Sequence, residues 1–223
     1  MSSPSSVDHH GKPGEHHFAH HFRSALHEFV TCKQGMWLFL VQEVLFFSPL
    51  FVAYFMFRAQ YAHDFHLGAL QLDWKMGALN TIILLCSSYT MARAVTASQR
   101  GEKSIVKYLA ITFLCAAGFL VVKYFEYTHK IHDGLLPGKF MTNPELLAEA
   151  PKAAIFFSLY FCMTGLHGIH VIGGMGVIAW IMWRAHKGEF GPKYFTPVEM
   201  TGLYWHFVDL VWIFLFPMLY LVG

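Results

Sequence analysis

Five apolar stretches, near residues 35–57, 75–97, 105–127, 154–183 and 201–222, are each long enough to cross a bilayer. Crossing takes about 20 residues at about 1.5 Å each for a hydrocarbon core of about 30 Å. In hydrocarbon every backbone N–H and C=O must be paired within its own helix or in a closed barrel, so runs of this length dictate helices. The fold class expected is all-α: a polytopic membrane protein, a bundle of five transmembrane helices over 35–223, behind a polar tail over 1–34. The connections at 58–74, 98–104, 128–153 and 184–200 carry the Pro, Gly and charged residues and leave no room for a separate soluble domain.

Composition agrees. The chain is 55% hydrophobic and 13% charged, against about a quarter charged in a soluble domain. Its net charge of +2 is spread over tail and loops, with no basic stripe, so nucleic acid is excluded as a partner. The cysteines Cys32, Cys86, Cys115 and Cys162 show no Cys-x-x-Cys spacing and read as small buried thiols. The first 34 residues show neither the apolar run of a secretory signal nor the Arg-rich pattern of a mitochondrial presequence.

Basic residues set the expected orientation. The tail and the second and fourth connections, with adjoining helix ends, hold Lys12, Arg23, Lys33, Arg93, Arg100, Lys103, Lys107, Arg184, Lys187 and Lys193; the other side holds Arg58, Lys75, Lys130, Lys139 and Lys152. The excess places the N-terminus in the cytoplasm and the C-terminus outside. Small residues crowd the fourth stretch at Gly165, Gly168, Gly173, Gly174 and Gly176, which should let neighbours approach closely and put that helix at the centre.

Ionisable residues inside a membrane are costly, about 2.5 to 3.5 kcal/mol each on insertion scales, so they should face protein. Glu43 in the first stretch, His167 and His170 three apart in the fourth, and His206 and Asp209 in the fifth all reach the cytoplasmic half and are expected to share one layer. Glu43 should find its hydrogen-bond partners in His170 and His206. Two readings of the layer stay open: a proton-handling or lipid-headgroup site, or a hydrogen-bonded knot that fixes helix packing. A metal or haem site is disfavoured, because facing axial histidines with a wide cleft, or a Cys/His/Met copper set, are missing. Lys123 and Glu126 read as an i,i+3 pair near the outer end of the third helix, with Lys123 snorkelling to the interface. His9, His10, His16, His17, His20 and His21 in the tail read either as an incidental polar stretch or as a proton-collecting antenna.

Four blocks carry a resemblance. Trp205-His206-Phe207-Val208-Asp209-Leu210-Val211-Trp212, Gly35 to Phe47, Thr164 to Val171, and Leu79-Asn80-Thr81, together with Glu126-Tyr127, are similar in order and spacing to subunit III of the haem-copper respiratory oxidases. The resemblance covers nearly everything after residue 34 and is to the cytochrome c oxidase type in its five-helix bacterial form. It implies a non-catalytic subunit of a proton-pumping terminal oxidase that reduces oxygen to water. Haem and copper would sit on partner subunits and none on this chain; subunit I would be the main contact, with subunit II, other oxidase subunits and membrane lipids as further partners. Subunit III stabilises subunit I, supports proton uptake from the cytoplasmic side and holds lipid, and Glu43 matches the family's buried helix glutamate. Longer members have seven helices with a lipid-filled cleft between the first two and the last five, which this chain could form only if a neighbouring subunit supplied the missing pair. A quinol oxidase subunit III, the related nitric oxide reductase accessory protein and a stand-alone proton or metal transporter are the alternatives.

Overall fold

The computed structural model describes residues 25–222, and within them all regular structure is helical. Five long helices, α1 (Ala25–Gln60), α3 (Trp74–Arg100), α4 (Ile105–His132), α6 (Ala153–His186) and α7 (Thr196–Phe216), are joined by short connections holding α2 (Ala62–Leu70) and α5 (Pro144–Glu149). These five are long and apolar enough to cross a membrane, α7 together with the π-helical turn Pro217–Leu221 that extends it. The first begins at Ala25, ten residues ahead of the expected boundary, so part of the polar tail is helical.

Four of the helices close a ring: α3 packs on α4 and α7, and α6 packs on α4 and α7. The fifth, α1, lies outside the ring against α6 and α7. Only 17% of its apolar window is buried, against 56% for α7. The most enclosed helix is therefore α7, not the glycine-rich α6 at 39%. Of the five α6 glycines, only Gly174 is closely approached: a Cβ there would stand 2.8 Å from the Trp205 ring, while Gly168 and Gly176 face open space. The thiols depart from expectation in the same way. All four cysteines are free, but Cys86 and Cys162 are exposed on the outer surface of the bundle, where a small apolar group is as much at home in lipid as in a core.

Local chemistry ends the helices where the sequence changes character. Asp73 caps α3 by accepting from the Lys75 amide at 2.9 Å. Gly101 closes the same helix at φ +69°, a conformation that a side chain resists, and Pro192 leaves no room for a Cβ. At the far end of α7, Pro217 has no N–H to continue the ladder, and the chain widens into the π-helical turn. Its loose carbonyls are capped from α1, by Tyr54 Oη to Met218 O at 2.6 Å and by Arg58 Nη2 to Val222 O at 2.5 Å. At the opposite end α1 is tied to α7 by Lys33 and Glu199 at 3.1 Å and by Phe29 against Phe195.

Gly174→Ala should lower stability by about 1–3 kcal/mol, because the rigid Trp205 indole cannot yield to the new methyl. Gly176→Ala, on the open face of the same helix, should leave stability unchanged or raise it. Thermal inactivation midpoints of the two variants in one mild detergent check the contrast.

Candidate functional site

The five ionisable residues expected in one layer are brought to similar depth but not together. Helix phase separates them: three residues advance the helix by about 300°, so His167 and His170 diverge by about 60° around α6. That is enough to aim one into the ring and the other at α1.

His170 meets Glu43 across the α1–α6 contact, with Nε2 at 3.0 Å from Oε2. Its other nitrogen, Nδ1, lies 2.8 Å from the Leu166 carbonyl. A carbonyl only accepts, so Nδ1 carries hydrogen. Nε2 and the carboxyl oxygen can then approach this closely only with a single proton between them. The pair holds that proton either as acid and neutral imidazole or as carboxylate and imidazolium, and its net charge is zero in both forms. Phe46 and Phe47 pack on the imidazole, and Tyr204 Oη donates to the His170 carbonyl at 3.0 Å. The pair is not sealed: 11% of the Glu43 side chain and 17% of the His170 side chain remain exposed at the flank of the bundle.

His206, the other expected partner of Glu43, instead faces α3, with Nδ1 2.7 Å from Ser88 Oγ. It lines a shallow groove with Ala92, Val95 and Glu199. Asp209, one turn on, is buried; neither oxygen is in hydrogen-bonding geometry with a described partner, although the Ser88 side chain approaches it. His167 is fully buried between Phe119 and Trp212, at ring distances of 5.4 and 5.2 Å, and neither ring nitrogen has a partner among the described residues. The six tail histidines His9, His10, His16, His17, His20 and His21 lie outside the described residues. Among the described residues, no three His, Cys, Asp or Glu side chains converge as a metal-binding set.

Lys123 and Glu126 overturn the interfacial reading. Lys123 does not snorkel: both residues are buried inside the ring, at 6% and 1% exposure. Lys123 Nζ donates to Glu126 Oε2 at 3.0 Å, to Tyr220 Oη at 2.8 Å and to Tyr160 Oη at 3.3 Å. Tyr160 and Tyr220 in turn donate to Glu126 Oε1 at 2.8 and 2.5 Å. The Tyr160 and Trp212 rings stand 5.0 Å from the ammonium, adding cation–π attraction. Every ammonium hydrogen has an acceptor, and the carboxylate accepts three donors, so the cluster is neutral and saturated. The signal was in the sequence: Leu109, Thr112, Ala116, Phe119, Lys123, Glu126 and Lys130 form one buried stripe at three-to-four spacing on α4. Sequence reading also missed the serine pair on α3, where Ser87 accepts from Trp205 Nε1 at 2.7 Å next to the Ser88–His206 contact.

Lys123→Met leaves a carboxylate buried without its cation and should cost about 3–5 kcal/mol, whereas adding Glu126→Leu removes the orphan charge and should recover much of that loss. Thermal inactivation of the two single variants and the double variant measures the coupling.

A profile of the family described as cytochrome c oxidase subunit III matches residues 15–146 and 147–223. The cytochrome bo(3) ubiquinol oxidase subunit 3 of Pseudomonas putida is 32% identical over 195 residues, covering 85% of this chain and 84% of that protein. The quinol oxidase subunit 3 of Bacillus subtilis is 33% identical over 190 residues, 85% of this chain and 86% of its own length. The cytochrome c oxidase subunit 3 of Synechocystis sp. is 34% identical over 212 residues, 94% of this chain and 81% of that protein. With its five apolar helices and a matched length that takes in both the Glu43–His170 pair and the Lys123–Glu126 cluster, the chain is an integral membrane protein of the cytochrome c oxidase subunit III family.

Proposed function

We propose that this chain is the non-catalytic subunit III of a proton-pumping haem-copper terminal oxidase, which stabilises subunit I and supports its proton uptake. The observation that carries the proton-handling part is the Glu43–His170 pair: two titratable groups holding one proton at 3.0 Å, neutral overall and partly open at the bundle flank. Such a pair can take up or release a proton with little movement, because the hydrogen bond already defines its path. His206, half-buried on a groove with Glu199, is a second titratable group toward the end of the bundle where α1 begins. We assign that end to the cytoplasm, on the excess of Lys and Arg there.

Haem and copper belong on partner subunits in this reading. The fully buried His167 is enclosed by two aromatic rings, which leaves no room for a porphyrin on its nitrogens. Subunit I is the main contact, with subunit II and membrane lipids around the rest. Relatives named for ubiquinol or quinol and relatives named for cytochrome c are about equally similar to this chain, and the electron donor would be read by other subunits. A quinol oxidase is therefore the second reading, distinguished by which donor the purified complex oxidises.

Removing this chain should leave subunit I with its haems but slow proton uptake and shorten its working life. Turnover followed over time in the depleted complex, at several pH values, checks this; unchanged rate and lifetime would leave the chain only a structural role. Glu43→Gln keeps a hydrogen-bond donor toward His170 but removes the titratable carboxyl. It should leave the complex assembled with an altered pH profile of turnover. Glu43→Ala also leaves His170 Nε2 without its partner and should cost a further 1–3 kcal/mol or so of stability. A Gln variant with the parent profile would sink the proton-handling reading.

A further inference from the structure

At the end of the bundle opposite the start of α1, a groove of about 600 Å³ opens between the first turn of α3 and the last turns of α4, with α2 at its edge. None of α1 lines it. Its wall changes chemistry with depth. Asp73, His129 and Lys130 lie at the helix ends, whereas Met76 and Phe125 lie further in, beside Glu126.

Lys130 is 5% exposed and spends one hydrogen on the Gln71 carbonyl. Among the described residues it forms no ion pair, and two N–H donors remain. Asp73 uses Oδ1 to cap α3, which leaves Oδ2 unused. Lys130 and Asp73 thus face a single groove with bonding capacity to spare, while the Glu126 carboxylate that also lines it is already held by Lys123, Tyr160 and Tyr220. Trp74, exposed at the same level, is a residue of the type that marks a membrane interface.

Below the groove apolar side chains continue along both helices. Met76, Leu79 and Ile83 follow one another at three-to-four spacing on α3, and Phe125, Val121, Gly118 and Leu114 do so on α4. Leu79, Phe125, Val121 and Leu114 are each about half exposed or more, and Gly118 has nothing within 4 Å of where a Cβ would stand. A polar, dipolar head above an apolar surface is the shape of an amphiphile.

We propose that this groove binds a zwitterionic phospholipid of the phosphatidylethanolamine class. Lys130 donates to the phosphate, Asp73 accepts from the ammonium, and one acyl chain lies along the apolar side chains of α3 and α4 across Gly118. The proposal requires only that the chain span a membrane, so it stands apart from the proton-handling reading.

The test uses the intact oxidase complex, reconstituted with a phosphatidylethanolamine carrying a diazirine on one acyl chain, irradiated and mapped by peptide mass spectrometry. Labelling should concentrate on Met76, Leu79, Val121 and Phe125. Lys130→Met should reduce it roughly tenfold or more, the loss expected for one charge-assisted hydrogen bond. Because a buried lysine can matter to folding, Gly118→Phe is the second variant: it fills the open space at Gly118 without touching Lys130 and should shift the label away from Val121 while the chain stays assembled. Label spread evenly over all lipid-facing residues, or unchanged in both variants, overturns the proposal. Inorganic phosphate abolishing the label would assign the site to a free anion, and phosphatidylglycerol competing as well as phosphatidylethanolamine would remove the role of Asp73; either result overturns the lipid assignment made here.

Discussion

Lys123 and Glu126 meet at 3.0 Å one turn apart on α4, buried inside a ring of helices. An ion pair in such surroundings survives only when every remaining lone pair and hydrogen is used, because desolvation of two charges otherwise exceeds their attraction. Here the missing partners come from elsewhere in the chain: Tyr160 from α6 and Tyr220 from the π-helical turn after α7. The pair therefore dictates more than its own helix. The turn that follows Pro217 must widen enough to bring Tyr220 inward, and α6 must present Tyr160 at the same level. Three segments far apart in sequence are pinned to one point, and α3 closes the ring through Thr81 and Ser87, which accept from Trp212 and Trp205 at 3.1 and 2.7 Å.

Attachment of α1 follows a different rule. It has few buried residues, so shape alone holds it weakly. Its fixed points are polar and spaced along its length: Lys33 on Glu199 near one end, Glu43 on His170 midway, Tyr54 and Arg58 on the Met218 and Val222 carbonyls after α7. In hydrocarbon, where apolar surface gains nothing by leaving lipid for protein, such contacts specify position better than packing does. The Glu43–His170 pair is then a joint as well as the proposed proton-handling site.

Much of this architecture was legible in the sequence, because a bilayer reduces fold choice to the length and order of apolar runs. The five spans and the unusual residues Glu43, His167, His170, His206 and Asp209 were all readable. What failed was azimuth. Residues three apart share a face only to within about 60°, and in a ring with one helix outside it, 60° decides between the interior and a neighbour. His167 and His170 part company for that reason, and so do Asp209 inside and His206 at a groove. The reading of Lys123 as a snorkelling residue failed for another cause: depth was judged from distance to the helix end, while the buried stripe from Leu109 to Lys130 went unused. The α6 glycines misled because a small residue permits close approach without requiring it; Trp205 exploits Gly174 alone.

The two polar centres differ in what they leave unfinished. Around Lys123 all donors and acceptors are matched, so adding or removing a proton would break several bonds at once, and the cluster resists change. At Glu43 and His170 one proton serves two acceptors, and a second form of the same hydrogen bond lies a short transfer away. Saturation suits a fixed point and incompleteness suits exchange. The same contrast separates their surroundings, since the first is buried within four helices while the second sits at a thinly covered joint. Asp209 and His167 are also buried and lack described hydrogen-bond partners, but they have no titratable neighbour in hydrogen-bonding reach with which to pass a proton. Among the described residues, then, what sets the proposed proton-handling site apart is the unfinished hydrogen bond at the α1–α6 contact rather than the number of ionisable groups the bundle encloses.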